Sequence, residues 1–241
     1  PRLTQKIEFY DIGNINHAVL EDFINMIIPM NDKINDLTED NVYDLIEDST
    51  EKVFREMSKE ITAFDASNRN AYFKNKIRRT LRTTGLTLVK QLKSTEFRPK
   101  YTELPIGIID ENNEKVQEDM YIDALEYKLN NCSLILRGII DRVDVFEDDN
   151  GGIYISIIDY KFSAKDIDFT DVYEGLQIQL FVYLKALVEN GEKLFGKNPK
   201  IAGVFYYHLD DPMIKSDSED VKKDILKSLK LKGFVLNDKG F

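Results

Sequence analysis

At Phe97 the spacing of the apolar residues changes, and that change limits the fold more than any other feature of the chain. Upstream, apolar positions recur every three or four residues, the period of a helix with one buried face. Ile12, Ile15, Val19, Leu20, Phe23, Ile24 and Ile27 predict a first helix capped by Asp11 and ending near Pro29. Leu45, Val53, Phe54, Met57 and Ile61 predict a second, interrupted around Asp48-Ser49-Thr50. A third runs from about Arg69 to Lys93 through Tyr72, Phe73, Ile77, Leu81, Leu88 and Leu92, with Gly85 as a weak point. Downstream the period is two. Leu104, Ile106 and Ile108 alternate with other residues, and Ala124–Leu129, the Asn130-Asn131 turn and Ser133–Phe146 read as a hairpin. The Asp148-Asp149-Asn150-Gly151-Gly152 turn then leads into Ile153–Lys161, so three sequential antiparallel strands are expected. A helix over Val172–Glu189, a strand over Ile201–Tyr207 and a charged helix over Ser218–Lys230 complete an α/β reading. We expect a helical portion over residues 1–95 and an α/β core over 96–241, together one structural domain.

With 241 residues and 42% hydrophobic content the chain can bury a real core. No apolar run is long enough to span a membrane and residues 1–6 carry no signal-like stretch, which predicts a cytoplasmic setting without a membrane partner. The chain starts without Met and in mid-pattern, as a fragment of a longer protein would. A net charge of −10 argues against a free-standing nucleic-acid binder. The charge is nevertheless uneven: acids crowd residues 32–60 and 110–126. Arg69, Lys74, Lys76, Arg78, Arg79, Arg82, Lys90, Lys93, Arg98 and Lys100 form a basic stretch, readable either as a phosphate-backbone surface or as a solvated helix face.

The chemistry concentrates in Gly138-Ile139-Ile140-Asp141-Arg142-Val143-Asp144 and Ile157-Ile158-Asp159-Tyr160-Lys161. Alternation along a strand sets Asp159 and Lys161 on one face, and a hairpin would bring Asp141 beside Asp159. Two carboxylates sharing a site repel one another unless a cation lies between them, and Mg²⁺ or Mn²⁺ suits such a pair. An isolated Asp-x-Lys fits a surface ion pair equally well; here near-continuous isoleucines surround the charges, which are costly to bury unless paired or metal-bound. Asp144 should face away from Asp141 and pair with Arg142 or another base.

Gly138-x-x-Asp141, Asp159-Tyr160-Lys161 and Gln179-x-x-x-Tyr183 reproduce the three-part signature of RecB-type nucleases, and the chain resembles that branch of the PD-(D/E)XK superfamily. Within it, Asp11-Ile12-Gly13-Asn14-Ile15-Asn16-His17, Phe97-x-Pro99 leading to Glu103, the segments Val172–Leu180 and Ala202–His208, in order from about residue 11 to 236, resemble the AddB-type nuclease domains of AddAB helicase-nucleases. The resemblance implies a restriction-endonuclease-like core, a mixed sheet flanked by helices. It implies a metal site of His17, Glu103, Asp141, Asp159 and the Tyr160 backbone carbonyl, with Asp141, Asp159 and Lys161 catalytic and Gln179 and Tyr183 lining the site. It also implies an AddA-type partner subunit, DNA as substrate, cut as single strands exonucleolytically, and a role in double-strand-break repair. Read without it, His17 fits a structural residue beside an apolar helix stripe, Glu103 a cap or ion-pair partner, and Gln179 and Tyr183 a polar edge of helix packing. AddB-type domains further imply four cysteines holding an iron-sulfur cluster. The only cysteine, Cys132, falls within the hairpin, so this chain does not support the cluster. A non-cutting module that binds DNA or docks a partner is the alternative reading, and a hydrolase acting on some other phosphate is a third.

Overall fold

The computed structural model describes residues 9–60, 68–107, 121–161, 167–209 and 229–235. Its contacts divide the chain into two units: 1–96 with 160–164 and 208–230, and 97–159 with 165–207 and 231–241. The expected strand residue Ile108 and nearly all of the expected helix over Ser218–Lys230 lie outside the described residues.

The first unit is built on three helices, α1 (Phe9–Ile27), α2 (Glu39–Glu60) and α3 (Asn68–Lys93), with a 3-10 segment over Ile28–Asp36. α1 passes at Ile27 directly into the 3-10 segment, which carries Pro29 in its first turn, where a missing N–H costs no helical hydrogen bond. Asp11 lies inside α1 and does not cap it. Most of the predicted stripe positions are buried, with Ile15, Val19, Leu20, Phe23, Ile24 and Ile27 of α1 wholly inaccessible, whereas Ile12, Leu45, Met57 and Phe73 are half-buried, Tyr72 is exposed, and Ile61 lies outside the described residues. α2 is continuous through the predicted interruption. The Thr50 hydroxyl donates to the Ile46 carbonyl at 2.6 Å and the Ser49 hydroxyl to the Asp22 carboxylate at 2.8 Å, so both polar groups are satisfied without leaving the helix. Gly85 does not break α3; it packs against Ile46 and Phe23, the small residue that lets three helices close on one another. Three residues of the basic stretch are paired here. Arg78 pairs with Glu47 and Glu51, Arg82 with Glu47 and Lys90 with Glu39, all across α2 and α3.

The second unit holds a five-stranded mixed sheet in the order β1 (Arg98–Ile106), β4 (Gly138–Glu147), β5 (Ile153–Lys161), β6 (Lys200–His208) and β7 (Lys232–Val235). β1 is an edge strand, the place where Pro99 and Pro105 cost no ladder hydrogen bond. The expected hairpin across Asn130-Asn131 forms, with β2 (Leu125–Lys128) and β3 (Ser133–Leu136) pairing antiparallel, but as a separate ribbon, because the expected strand over Ser133–Phe146 is divided and its second part, β4, pairs with β1 and β5. Both antiparallel steps are kept, and the single run of three strands in one sheet is not.

The expected helix over Val172–Glu189 is likewise divided into α4 (Phe169–Tyr173) and α5 (Gln179–Glu189), before α6 (Gly191–Phe195). Asp168 caps α4 by accepting from Thr170, and Gly175, at φ +79°, turns the chain as few other residues can. Buried Gln177 donates to Asp171 at 2.6 Å and pins the intervening loop. Leu180, Tyr183, Leu184 and Leu187 of α5 then join Val143, Ile155, Ile157, Val204 and Tyr206 in one core. Each such side chain contributes roughly 1.5–3 kcal/mol on burial.

Candidate metal and phosphate site

The strand register assembles three acids. β1 meets β4 with Thr102 opposite Arg142 and Leu104 opposite Ile140, which sets Glu103 across from Asp141. β4 meets β5 with Arg142 opposite Ile158, and one further step sets Asp141 across from Asp159. Directly opposed residues share a sheet face, so the register puts Glu103, Asp141 and Asp159 on one face of three adjacent strands, and of these Glu103 and Asp141, not Asp159, belong to the group close enough to share one ion. Carboxylate oxygens of Glu103 and Asp141 lie within 4.8 Å of one another. Asp159 is 1% exposed, Asp141 9%, and Glu103 half-buried.

Glu103 has φ 45°, left-handed backbone that costs a non-glycine residue about 1–3 kcal/mol and clusters at functional sites. On the opposite face of β4 the Arg142 guanidinium holds Asp144 through two bonds, of 2.6 and 2.5 Å, as the alternation of the strand predicts. That base is therefore consumed by Asp144. The carboxylates of this face are oxygen donors and multiply charged, which fits a hard divalent cation.

α5 adds the two other signature residues. Gln179 donates its amide N–H to the Tyr183 hydroxyl at 2.9 Å, the i to i+4 reach of one helical face. The Tyr183 ring lies over Gly138, where a Cβ would come within 2.7 Å of the ring and 2.9 Å of the hydroxyl oxygen. The glycine of the signature is thus a gap in β4 that admits the phenol. Burial raises the Tyr183 pKa above its ordinary value, and the charges of Asp159 and Asp141 raise it further, against lowering by the Gln179 and Ile139 donors. Tyr183 consequently sits in the field of both aspartates. Sequence reasoning named Gly138 as a motif position without finding its purpose; the signal was a glycine at the start of a core strand combined with an aromatic residue on a covering helix.

Lys161 ends β5 two residues beyond Asp159, on the same side of the strand, with its backbone carbonyl accepting from the Leu209 N–H at 2.8 Å. Tyr160 is buried, and its ring meets the His17 ring edge-on at 5.9 Å between centroids. His17 is half-buried on α1. Cys132 is exposed beside the β2–β3 turn.

A profile of the PD-(D/E)XK nuclease superfamily matches residues 1–235. The chain belongs to that superfamily. It is 33% identical over 231 residues to the B subunit of the ATP-dependent helicase/deoxyribonuclease of Alkaliphilus metalliredigens, covering 95% of this chain and 19% of that protein. The protein of the same description from Clostridium perfringens is 32% identical over 232 residues, with 95% and 19% covered. That from Exiguobacterium sibiricum is 31% identical over 242 residues, with 98% and 20% covered. The chain therefore spans about a fifth of the length of the curated relatives it matches. Asp141 lies in β4, and Asp159-Tyr160-Lys161 ends β5. Among the described residues no helix is long and apolar enough to cross a membrane.

Proposed function

We propose that the chain is a divalent-metal-dependent nuclease domain that hydrolyses phosphodiester bonds of DNA. The observation that carries this reading is the row Glu103–Asp141–Asp159 across three strands of one sheet. Those carboxylates would hold Mg²⁺ or Mn²⁺, with His17 and the Tyr160 carbonyl as further ligands on the strength of the family resemblance. The ion, when bound, supplies acidity to a water and neutralises charge on the phosphate. Lys161 brings an ammonium to the same side of β5 as Asp159, where it orients the attacking water or stabilises the charge that builds on phosphorus. The water oxygen bonds to phosphorus, the bond to the leaving oxygen breaks, and that oxygen takes up a proton; no covalent enzyme intermediate is needed. Gln179 and Tyr183 border the acids and position the strand.

The relatives' description as parts of a helicase/deoxyribonuclease supports a setting in which a helicase motor, with an AddA-type partner, delivers single strands for exonucleolytic digestion during double-strand-break processing and recombinational repair. In that setting a motor supplies the long DNA track, and an acidic net charge on the cutting domain is tolerable.

Cleavage of a single-stranded oligonucleotide should require Mg²⁺ or Mn²⁺, stop on chelation, and fall by at least about 10³-fold in Asp159→Ala and Lys161→Ala. Calorimetry should show one cation site lost in Asp141→Ala. Metal-dependent cleavage at the wild-type rate by the Asp159→Ala protein, purified free of other nucleases, removes the proposal. A folded protein that takes up no ion at millimolar concentration favours instead a module that binds DNA or a partner without cutting.

A further inference from the structure

Between Asp168 and Ile178 the chain turns large apolar side chains out to solvent just before it enters α5. Tyr173 is 93% exposed and Phe169 63%, and Leu176 and Ile178 are exposed as well. Leaving such groups in water forgoes the stabilisation that burial gives, and a cluster of them marks a contact surface. The segment is nonetheless held in shape. The Val172 N–H donates to the Asp168 carbonyl at 3.0 Å, the Leu176 N–H to the Asp171 carbonyl at 2.8 Å, and the buried Gln177 amide to the Asp171 carboxylate at 2.6 Å. Among the described residues, chain neighbours apart, nothing lies within 4 Å of the place a Cβ would take on Gly175, so the loop stands clear. Phe169 and Tyr173 are four apart on α4, hence on one side of the helix and about 6 Å apart along it. The Phe169 ring rests on Phe234 of β7, with 4.5 Å between centroids and 32° between planes, which seats it without hiding it.

We propose that Phe169 and Tyr173 form a stacking platform for unpaired bases of the substrate strand. Charge selects this occupant. Residues 168–178 carry Asp168, Asp171 and Glu174 and no Lys or Arg, so the segment repels phosphate. A base presents an uncharged π face, and its exocyclic amines donate to carboxylates. Aromatic side chains hold such faces with little regard for sequence. An acidic segment with outward rings therefore suits the bases of a strand and not its backbone. A duplex keeps its base faces stacked on one another, so the platform serves strands that are already separated. These rings belong to α4, apart from the Gln179–Tyr183 pair, and they grip a part of the substrate that undergoes no chemistry. The inference rests on the nuclease reading and adds to it a physical basis for choosing single strands.

The test compares wild type, Tyr173→Ala and Tyr173→Phe in the whole chain. At a side chain this exposed, neither change should move Tm, so any effect is not one of folding. Fluorescence anisotropy of a labelled single-stranded oligonucleotide, with Ca²⁺ as the ion, should show affinity about tenfold weaker in Tyr173→Ala. Tyr173→Phe keeps the ring and should stay within about twofold of wild type. An abasic residue stepped along the strand should cost wild type about tenfold at one position and cost Tyr173→Ala nothing further there. Phe169→Ala should lose the penalty at a neighbouring position, whereas Phe169→Tyr, which keeps the ring on Phe234, should retain it. In Mg²⁺, Tyr173→Ala should raise KM and leave kcat within about twofold. Unchanged affinity in Tyr173→Ala, equal abasic penalties in the two proteins, or a Tyr173→Phe protein as weak as Tyr173→Ala overturns the proposal. So does a wild-type chain that sedimentation shows to pair through this surface, with Tyr173→Ala monomeric. Metal-dependent cleavage with no loss of affinity in Tyr173→Ala removes the platform alone. Ring-dependent binding without cleavage in any ion removes the nuclease reading and leaves the platform.

Discussion

Gly138 is the residue at which packing and chemistry meet. Its missing Cβ is the space that the Tyr183 ring occupies, so Gly138→Ala should displace the phenol from the acids. We expect about 1–3 kcal/mol of overpacking cost and a loss of cleavage at least as large as that of Tyr183→Phe. Thermal unfolding and a turnover assay check both; wild-type turnover in Gly138→Ala would show that the ring has no set position. The other face of β4 poses a different problem, because Arg142 and Asp144 are both buried and satisfy each other. Asp144→Ala should cost roughly 3–5 kcal/mol by stranding a guanidinium, whereas replacing both by apolar residues of similar volume should restore most of it. Urea denaturation distinguishes these outcomes, and equal losses in the two variants would contradict the account. The pairing of Asp144 with Arg142, on the face of β4 away from Asp141, was legible from strand alternation alone, since residues three apart face opposite ways. The role of Gly138 was not, because it depends on a side chain 45 positions later in the sequence.

Among the elements, the β4–β5 hairpin carries the most consequence, since it brings Asp141 to Asp159. Its turn is organised by Asp148, whose carboxylate accepts from the N–H groups of Gly152 at 2.6 Å and Asn150 at 2.9 Å. These donors, Gly152 foremost, hold Asp148 below the usual carboxylate range. A depressed folded-state pKa means stability that is present at neutral pH and lost as pH falls through the ordinary carboxylate range toward the folded value. The unfolding midpoint should therefore drop on acidification, and Asp148→Asn should flatten part of that slope; an unchanged slope would exclude the turn as its source. The turn itself was legible from its Asp-Asp-Asn-Gly-Gly composition. Element boundaries were less so. The Asp48-Ser49-Thr50 run looked like a helix break because its hydroxyls compete with the backbone, yet tertiary contact with Asp22 gave Ser49 a partner. Conversely, the α4–α5 break was hidden inside an apolar stripe, and only the left-handed Gly175 marked it.

For the whole molecule, the net charge of −10 and the basic stretch of α3 are two sides of one arrangement. Arg78, Arg82 and Lys90 answer acids of α2, so three of the ten residues of the stretch that sequence alone left open as a phosphate surface are paired inside the helical unit. Affinity for single strands should accordingly depend less steeply on salt than the count of basic residues suggests. A slope of log K against log salt of magnitude no more than about 5 is expected, against about 7 if all ten basic residues met phosphates. Measured oligonucleotide affinities at several salt concentrations decide this, and a slope near the larger value would mean that those ion pairs open on binding. The fold class was legible from the change of period at Phe97, and the antiparallel pairing of the strands that carry Asp141 and Asp159 from the turn between them. Glu103 was not legible from spacing, because its place depends on β1 pairing across a gap of more than thirty residues to β4.

The acids come from three strands held in a common phase, and this makes the site sensitive to something other than the identity of its residues. Sliding β1 or β5 by a single position along β4 would swing that strand's acid to the reverse side while leaving the ladder bonded. An inserted or deleted residue inside these strands should thus silence the site well before it unfolds the protein. Changes in length are safe only where the chain has left the sheet, and descendants of this sequence should vary there.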